Sequence, residues 1–242
     1  MLWVVGDVHG CAKALDRLLR EIDFDAGRDE LWSVGDLVNT GPDSAAVVRL
    51  WRELGGRAVL GNHDVYALRS HAGDRKRKRR DSLDDLFSAP DSKKLLAWMR
   101  DQPLMARLQG RKKGRFAWLV HAGLLPSWRN LKKTKAMLAA ALAEHGMDSA
   151  ETRAVTTLRC CDESGQQSAH KGMVKDCPPG FSPWDDFYRG DDWILHGHWA
   201  MRGHYRARRS IGLDSGCVYG GPLTAWCLEE DRIVQVRGGG RS

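Results

Sequence analysis

Three short apolar segments near the start of the chain each end in a glycine that is followed at once by a polar side chain. The segments are residues 2–5, 31–34 and 57–60, and the polar side chains after them are Asp7, Asp36 and Asn62. Between the segments, residues 12–22 and 45–54 carry apolar side chains at helical spacing. Short buried strands that alternate with amphipathic helices predict right-handed βαβ units, and therefore an α/β fold whose sheet has a parallel part.

We expect the polar side chains at these strand ends to meet in space, because ligands of open α/β sheets gather outside the carboxyl ends of the strands. Two later apolar runs also end in histidines, at His121 and at His196-Gly197-His198. Asp, Asn and His are suitable ligands for Mn²⁺, Fe²⁺ or Zn²⁺, whereas oxygen ligands alone would indicate Mg²⁺ or Ca²⁺. One histidine by itself is more often structural, but five polar clusters at strand ends predict a dinuclear metal site.

The polar clusters also carry a resemblance to a known family. GDVHG, GDLVNTGPDS, GNHD, VHAG and HGHW resemble the motifs of the calcineurin-like metallophosphoesterases in the phosphoprotein-phosphatase superfamily. Two longer stretches, LFSAPDSKKLLAWMRDQPL and LDSGCVYGGPLTAWCLE, are similar to the bacterial symmetrical diadenosine tetraphosphatases within it. The resemblance implies two packed mixed β-sheets flanked by helices. It also implies one domain over residues 1–242, with a small helical cap or lid over residues 65–115 inside it.

The resemblance assigns a role to each matching side chain. Two divalent transition-metal ions would activate water for attack on phosphorus, with Mn²⁺ favoured and Fe²⁺, Co²⁺ or Zn²⁺ as alternatives. The ligands implied are Asp7, His9, the bridging Asp36, Asn62, His121 and His198. His63 would be the general acid, and Asp64 would orient or polarise its imidazole. His196 stands where the family usually has an apolar residue, so we interpret it as a structural histidine beside the site.

The chain departs from the resembling tetraphosphatases at positions that would bind phosphate. Thr40 stands where the resembling tetraphosphatases have an arginine, and Ser182 stands where they have a lysine. Arg159 remains as the candidate substrate ligand, because a guanidinium binds phosphate through two parallel hydrogen bonds. Lys171 is interpreted as a solvated loop lysine. These departures leave the metal chemistry intact but weaken the substrate assignment.

A run of six basic residues, RKRKRR at positions 75–80, adds to a formal net charge of +7. A positive balance of this size favours polyanionic partners such as nucleotides or nucleic acid. The run itself has three interpretations: a solvated loop, a lid that attracts polyphosphate, or a contact for nucleic acid. The sequence does not choose among them.

The cysteine pattern and the hydropathy indicate the cellular compartment in which the protein is expected. The six cysteines show no CxxC pair and no zinc-finger spacing, and no apolar run is long enough to cross a bilayer. The start of the chain does not have the pattern of a secretory signal. We therefore predict reduced thiols in a cytoplasmic protein.

The leading functional hypothesis is symmetrical hydrolysis of diadenosine tetraphosphate to two ADP, with dinucleotide-type RNA 5′ caps as further substrates. One alternative is a phosphoprotein phosphatase acting on phosphoserine, phosphothreonine or phosphotyrosine. Another is a non-catalytic protein that binds RNA or nucleotide, although such a protein would not need the full ligand set. The partners expected are a nucleotide polyphosphate and, as an extension, RNA 5′ ends. No membrane and no obligate protein partner is expected.

Overall fold

The strand–helix units at the N-terminus form the parallel half of a five-stranded sheet. This computed structural model describes residues 1–111 and 115–239. In spatial order, the strands of the first sheet are Arg232–Arg237 (β12), Pro222–Cys227 (β11), Leu2–Val5 (β1), Glu30–Ser33 (β2) and Arg57–Ala58 (β3). β1, β2 and β3 run parallel, whereas β11 and β12 add antiparallel strands at the other side of β1.

A second five-stranded sheet has the same mixed character. Its strands, in spatial order, are Met105–Gln109 (β4), Phe116–Val120 (β5), Trp193–His196 (β8), Ser210–Gly212 (β10) and Tyr205–Arg206 (β9). β5, β8 and β10 are parallel, and β4 and β9 pair antiparallel at the edges. A small antiparallel pair is formed by Cys160–Cys161 (β6) and Ser182–Pro183 (β7).

Seven α-helices flank the sheets in the described part of the chain. They are Ala12–Glu21 (α1), Ser44–Glu53 (α2), Asn62–Ala72 (α3), Asp84–Ser88 (α4), Ser92–Arg100 (α5), Leu131–His145 (α6) and Ala150–Thr157 (α7). Two of them begin at side-chain caps: Asn130 accepts the Lys133 N–H at 3.0 Å, and Ser149 accepts the Thr152 N–H at 3.0 Å. Such caps satisfy backbone donors that the first helical turn leaves unpaired.

The two faces of β1 explain how the layers are built. Leu2 and Val4 belong to the core between the two sheets, whereas Trp3 and Val5 belong to the larger core under the helices. Successive side chains of a strand point to opposite faces, so each sheet is packed on both sides. The predicted architecture of two packed mixed β-sheets flanked by helices is confirmed.

The predicted cap over residues 65–115 was wrong at its C-terminal end. β4 is a strand, because Ala106 and Leu108 alternate with the exposed Arg107 and Gln109 and bury their side chains between the sheets. Leu86, Leu95 and other apolar residues of α4 and α5 lie in the same core as the rest of the helices. We therefore propose that these helices belong to a single domain rather than to a separable lid. Residues 112–114 and 240–242 of the predicted ranges lie outside the described residues.

The prediction that all cysteines are reduced thiols was wrong at one pair. Cys160 and Cys177 form a disulfide, whereas Cys11, Cys161, Cys217 and Cys227 are free and buried. The two partners are 17 positions apart in sequence, a spacing that no short cysteine motif reveals. The disulfide ties the segment that ends at Cys177 back to β6, which contains Cys160. No helix in residues 1–111 or 115–239 combines the length and apolar character that a membrane crossing requires.

Candidate active site

The polar side chains predicted from the strand ends converge in one buried cluster. Among them, Asp7, Asp36 and His198 are almost fully buried. Two glycines allow backbone to lie against the carboxylates. A Cβ atom at Gly61 would lie 2.1 Å from Oδ1 of Asp36, and one at Gly197 would lie 1.9 Å from Oδ1 of Asp7. A side chain at either glycine would therefore displace a candidate metal ligand.

Two groups of candidate metal ligands meet at Asp36. One consists of His9, Asp36 and His63, and the other consists of Asp36, His121 and His198. Within each group, the ligand atoms all lie within 4.8 Å of one another. Oδ2 of Asp36 lies 3.6 Å from Nε2 of His9 and 3.5 Å from Nε2 of His121. One carboxylate shared by two groups is the arrangement that a dinuclear site requires.

Backbone carbonyls fix the orientation of three of these histidines. Nδ1 of His9 lies 3.3 Å from the Val38 carbonyl, and Nδ1 of His121 lies 2.8 Å from that of Val34. Nε2 of His198 lies 3.2 Å from the carbonyl of Thr157. A carbonyl only accepts, so each of these nitrogens carries a proton, and in the neutral ring that binds a metal the other nitrogen has a free lone pair.

The lone pairs left in this way are directed at other acceptors. Nε2 of His121 lies 3.1 Å from Oδ1 of Asn62, and Nε2 of His9 lies 4.0 Å from Oδ2 of Asp7. Asp7 also accepts the backbone N–H of His198 at 3.2 Å. Acceptors that face one another in a buried space fit divalent cations, and a donor set of imidazole, amide and carboxylate fits transition metals.

A fourth site carboxylate, Asp214, was missed by the sequence analysis. It is buried beside the cluster, and one of its oxygens accepts the Gly216 N–H at 3.0 Å. Burial raises the pKa of Asp7 well above its usual range, and the charges of Asp214 and Asp36 raise it further. Such mutual repulsion is relieved by bound cations. Asp214 follows the strand β10, so the strand-end rule that identified Asp7 could have found it.

Asn39, which the sequence analysis also missed, holds the His63 ring. Its Oδ1 accepts the backbone N–H groups of Thr40 at 2.8 Å and Ser82 at 3.0 Å. Its Nδ2 must therefore donate to Nδ1 of His63, which lies 3.0 Å away. The proton of the neutral His63 ring is then on Nε2. Burial lowers the pKa of this ring to about 4.

Asp64 has a different position from the one predicted. It was expected to orient or polarise the His63 imidazole, and this was wrong. The carboxylate of Asp64 accepts the backbone N–H groups of Asp36, Leu37 and Gly61, at 2.8, 3.1 and 2.9 Å. Asp64 therefore fastens the loop that carries Asp36 to the start of α3, because its position in the first turn directs its side chain back to the N-terminus of the helix.

The cluster lies at the base of an open cavity of about 440 Å³. His9, Asp36, Asn62, His63 and His198 reach this cavity, and so does Arg159. Burial lowers the pKa of the Arg159 guanidinium, while the carboxylates of Asp214, Asp36 and Asp7 oppose the shift. Lys171, interpreted from sequence as a solvated loop residue, lines the same cavity.

His196 lies outside the two ligand groups, as predicted from its unusual place in the motif. Its Nε2 lies 2.8 Å from the Tyr205 hydroxyl, which donates to Asp185 at 3.2 Å. The ring of His196 packs against Trp184, with the ring centroids 5.1 Å apart. This histidine therefore supports the strand β8 from a neighbouring polar network.

Comparison with known proteins agrees with this geometry. A curated relative from Nitrosospira multiformis, named a symmetrical bis(5′-nucleosyl)-tetraphosphatase, is 36% identical and covers 98% of this chain and 96% of its own length. A relative of the same name from Methylobacillus flagellatus is 38% identical and covers 97% of this chain and 94% of its own length.

Solved structures give the same result for the fold. A crystal structure provisionally assigned as a diadenosine tetraphosphatase has a TM-score of 0.73 and 31% identity, over 98% of this chain and 93% of that one. A serine/threonine phosphatase from Saccharomyces cerevisiae has a TM-score of 0.56, but at 14% identity it supports the fold alone. The sequence profile of the calcineurin-like phosphoesterases matches residues 1–221. The chain therefore belongs to the calcineurin-like phosphoesterases, which use a dinuclear site for divalent metal ions.

Proposed function

We propose that this phosphoesterase hydrolyses diadenosine tetraphosphate symmetrically, to two molecules of ADP. The observation that carries the proposal is Arg159, which faces the ligand cluster with unused hydrogen-bonding capacity. Its Nη2 donates to the His198 carbonyl at 3.2 Å, and its buried Nε has no hydrogen-bond partner among the described residues. A half-buried cation whose Nε donor is buried and free suits a phosphate chain beside a metal site. The names of the curated relatives give the same substrate.

The ligand roles are part of the proposal. We assign the metal ions to Asp7, His9, Asp36, Asn62, His121 and His198, with Asp36 shared. When bound, two divalent cations would neutralise charge on the phosphate and lower the pKa of a water molecule. Mn²⁺ is the favoured metal, and Fe²⁺, Co²⁺ and Zn²⁺ are the alternatives, because imidazole ligands favour transition metals over Mg²⁺.

We propose a modified role for His63. The sequence predicted a general acid, which would have to lose a proton to the leaving oxygen. The amide of Asn39 donates to Nδ1 at 3.0 Å, so the neutral ring offers a hydrogen bond through Nε2–H instead. A departing ADP carries its new charge on a phosphate oxygen, which is weakly basic and needs a hydrogen bond rather than a proton. A donor aimed at developing charge stabilises the transition state directly.

Product analysis tests this function. Purified protein with Mn²⁺ is incubated with diadenosine tetraphosphate, a phosphopeptide and p-nitrophenyl phosphate, and kcat/KM is compared for the three. The expected result is the highest value for the dinucleotide, with ADP as the sole nucleotide product. AMP together with ATP would reject symmetrical cleavage. A preference for the phosphopeptide would favour a phosphoprotein phosphatase, and binding of nucleotide without turnover would favour a non-catalytic protein.

RNA 5′ ends that carry a dinucleotide-type cap are a further proposed substrate, since they contain the same type of phosphoanhydride. A cytoplasmic location is also proposed, and the Cys160–Cys177 disulfide is the observation that argues against it. Thiol counting under denaturing conditions without reductant resolves the conflict. The disulfide predicts four thiols per chain, matching the four free cysteines, whereas six would show that the pair is reduced.

A further inference from the structure

A second cavity adjoins the one that contains Arg159. The first cavity, which we call the Arg159 chamber, measures about 440 Å³, and the second measures about 390 Å³. Both are lined by Asn62, His63, Lys171 and Tyr219, so the proposed metal ligand Asn62 and the neighbouring His63 lie at their common wall. The second cavity is also lined by Thr40 and by Arg75, Lys78 and Arg80 of the basic run. We call it the basic chamber.

The six residues of the basic run are exposed, but hydrogen bonds fasten the run to the body of the protein. The backbone N–H of Lys78 donates to the Tyr66 hydroxyl at 2.6 Å, and the same hydroxyl donates to Asp81 at 2.7 Å. Ser82, just after the run, donates its backbone N–H to Asn39 at 3.0 Å and its hydroxyl to the Gly41 carbonyl at 2.7 Å. These bonds hold the run against the loop that contains Asp36.

The basic residues of the run differ in whether they are paired with a carboxylate. Arg77 is bound to Asp81 and lies 2.7 Å from Asp84, and its hydrogen bond lowers the pKa of Asp81, which also lines the basic chamber. Within residues 1–111 and 115–239, Arg75, Lys78 and Arg80 form no ion pair with a carboxylate. Three cations are therefore available to an anion in this chamber.

We propose that the basic chamber binds one nucleoside-diphosphate half of the substrate while the Arg159 chamber binds the other half. This inference rests on the proposed function. A symmetrical dinucleotide cut at its centre has two equal halves, and here two chambers of similar volume, each with cations, meet at Asn62 and His63. Water adds to one central phosphorus, and the bond from that phosphorus to the bridging oxygen breaks. The bridging oxygen leaves with its electron pair on the other ADP, and the proton from water passes to solvent.

This arrangement also explains how the chain does without an arginine at position 40. Thr40 lines the basic chamber together with Arg75, Lys78 and Arg80. A threonine offers one hydroxyl and no charge, so the three cations of the run supply the positive charge that an arginine at position 40 would otherwise bring to this wall. An arginine introduced at position 40 should therefore substitute for cations removed from the run.

The test compares two double variants of equal charge change. Lys78→Gln with Arg80→Gln removes two cations that line the basic chamber, and Lys76→Gln with Arg79→Gln removes two from the same run that do not. With Mn²⁺-loaded protein, the first variant should lose about 10- to 100-fold in kcat/KM for diadenosine tetraphosphate, since each charge-assisted contact is worth roughly a factor of ten. Its loss on p-nitrophenyl phosphate should be smaller, because that substrate has no second nucleotide half to place in the basic chamber. Adding Thr40→Arg should recover at least part of the loss.

Calorimetric titration with ADP, on the same Mn²⁺-loaded proteins, tests the chamber without turnover. Wild type and the control variant should bind two ADP per chain, one for each half, and the Lys78/Arg80 variant should bind one. Equal stoichiometry or equal kcat/KM in the two double variants would overturn the inference. If wild type does not cleave the dinucleotide, the proposed function fails, and the ADP titration still decides whether the basic chamber is a nucleotide site.

Discussion

The side-chain amide of Asn39 donates to Nδ1 of His63 at 3.0 Å, and the direction of this hydrogen bond is fixed by the rest of the amide. Oδ1 of Asn39 is occupied by two backbone N–H groups, so only the NH₂ group can face the imidazole. Among the described residues, Nδ1 of His63 has this amide and no carboxylate as its hydrogen-bond partner. In a His63 imidazolium, the Nδ1–H group would point at the N–H of the Asn39 amide, and the two donors would repel each other. In the neutral ring protonated on Nε2, the Nδ1 lone pair accepts that N–H.

Asn39→Asp should shift the enzyme toward substrates with poor leaving groups. A carboxylate at this position would accept a proton from Nδ1 and favour the imidazolium, the form that can act as a general acid. We expect the ratio of kcat/KM for an alkyl phosphate to that for diadenosine tetraphosphate to rise about tenfold, a modest part of what general acid catalysis can contribute. Asn39→Ala is the control. An unchanged ratio, with ¹⁵N NMR still placing the His63 proton on Nε2 alone, would contradict the assigned tautomer.

His63→Asn should lower kcat by about 10²- to 10³-fold, the usual effect of removing a donor to developing charge. Metal content should stay at two equivalents, because the proposed ligand set does not include His63. The loss should be similar for p-nitrophenyl phosphate and diadenosine tetraphosphate. A loss that grows steeply with the basicity of the leaving group would restore the general-acid role, and a loss of metal would make His63 a ligand.

Asp36→Asn should abolish hydrolysis and reduce bound metal. Oδ2 of Asp36 lies within 3.6 Å of imidazole nitrogens from both ligand groups, so its charge serves both ions. Elemental analysis should find about two transition-metal equivalents in wild type, and fewer in the variant. Full activity of wild type after exhaustive dialysis against chelator would show that the reaction does not depend on metal.

Asp185→Asn should destabilise the fold away from the metal centre. The Asp185 carboxylate lies 2.8 Å from Arg202 and also accepts from the hydroxyl of Ser210 at 2.8 Å. Its side chain is 2% exposed and that of Arg202 is 14% exposed, so the substitution leaves a largely buried charge without its partner. The expected loss in the free energy of unfolding at pH 7 is about 3–5 kcal/mol. Urea unfolding measures it.

The effect of pH on the same pair has a definite sign. Burial opposes ionisation of Asp185, but hydrogen bonding and charge from Arg202 outweigh it and hold the pKa of the carboxyl below its usual range. A carboxyl whose folded pKa is depressed stabilises the fold above its unfolded pKa and loses that stabilisation as pH falls through the folded pKa. The difference between wild type and Asp185→Asn should therefore be full at neutral pH and shrink below about pH 4. A difference independent of pH would remove the ion pair as its cause.

The sequence predicted that the polar side chains at the strand ends converge, because their placement depends on local order. Asp7, Asp36 and Asn62 each follow a strand and a glycine, and parallel strands bring such positions together without further information. Asp214 obeys the same rule but follows a short strand late in the chain, and it was overlooked.

Contacts between distant segments were not predictable in the same way. Asn39 and Ser82 are 43 residues apart, and their hydrogen bond is what holds the basic run beside Thr40. Nothing in the local pattern of either segment indicates the other. The role given to Asp64 was wrong for a related reason. Asp64 and His63 are neighbours in sequence, but at the start of a helix neighbouring side chains point in different directions. The Asp64 carboxylate points to backbone N–H groups and not to the His63 ring.

Left-handed backbone conformations are concentrated at the cleft. Of the seven non-glycine residues with positive φ in the described chain, five lie there: His9, Asp36, Asn39, Thr40 and His198, with φ between 48° and 75°. Each costs roughly 1 kcal/mol that glycine would avoid, so the site lowers stability by on the order of 5 kcal/mol, comparable to the whole net stability of many domains. Glycine would relieve this cost at each position, so the packing and hydrogen bonds around the cleft must supply the free energy that holds its backbone in place.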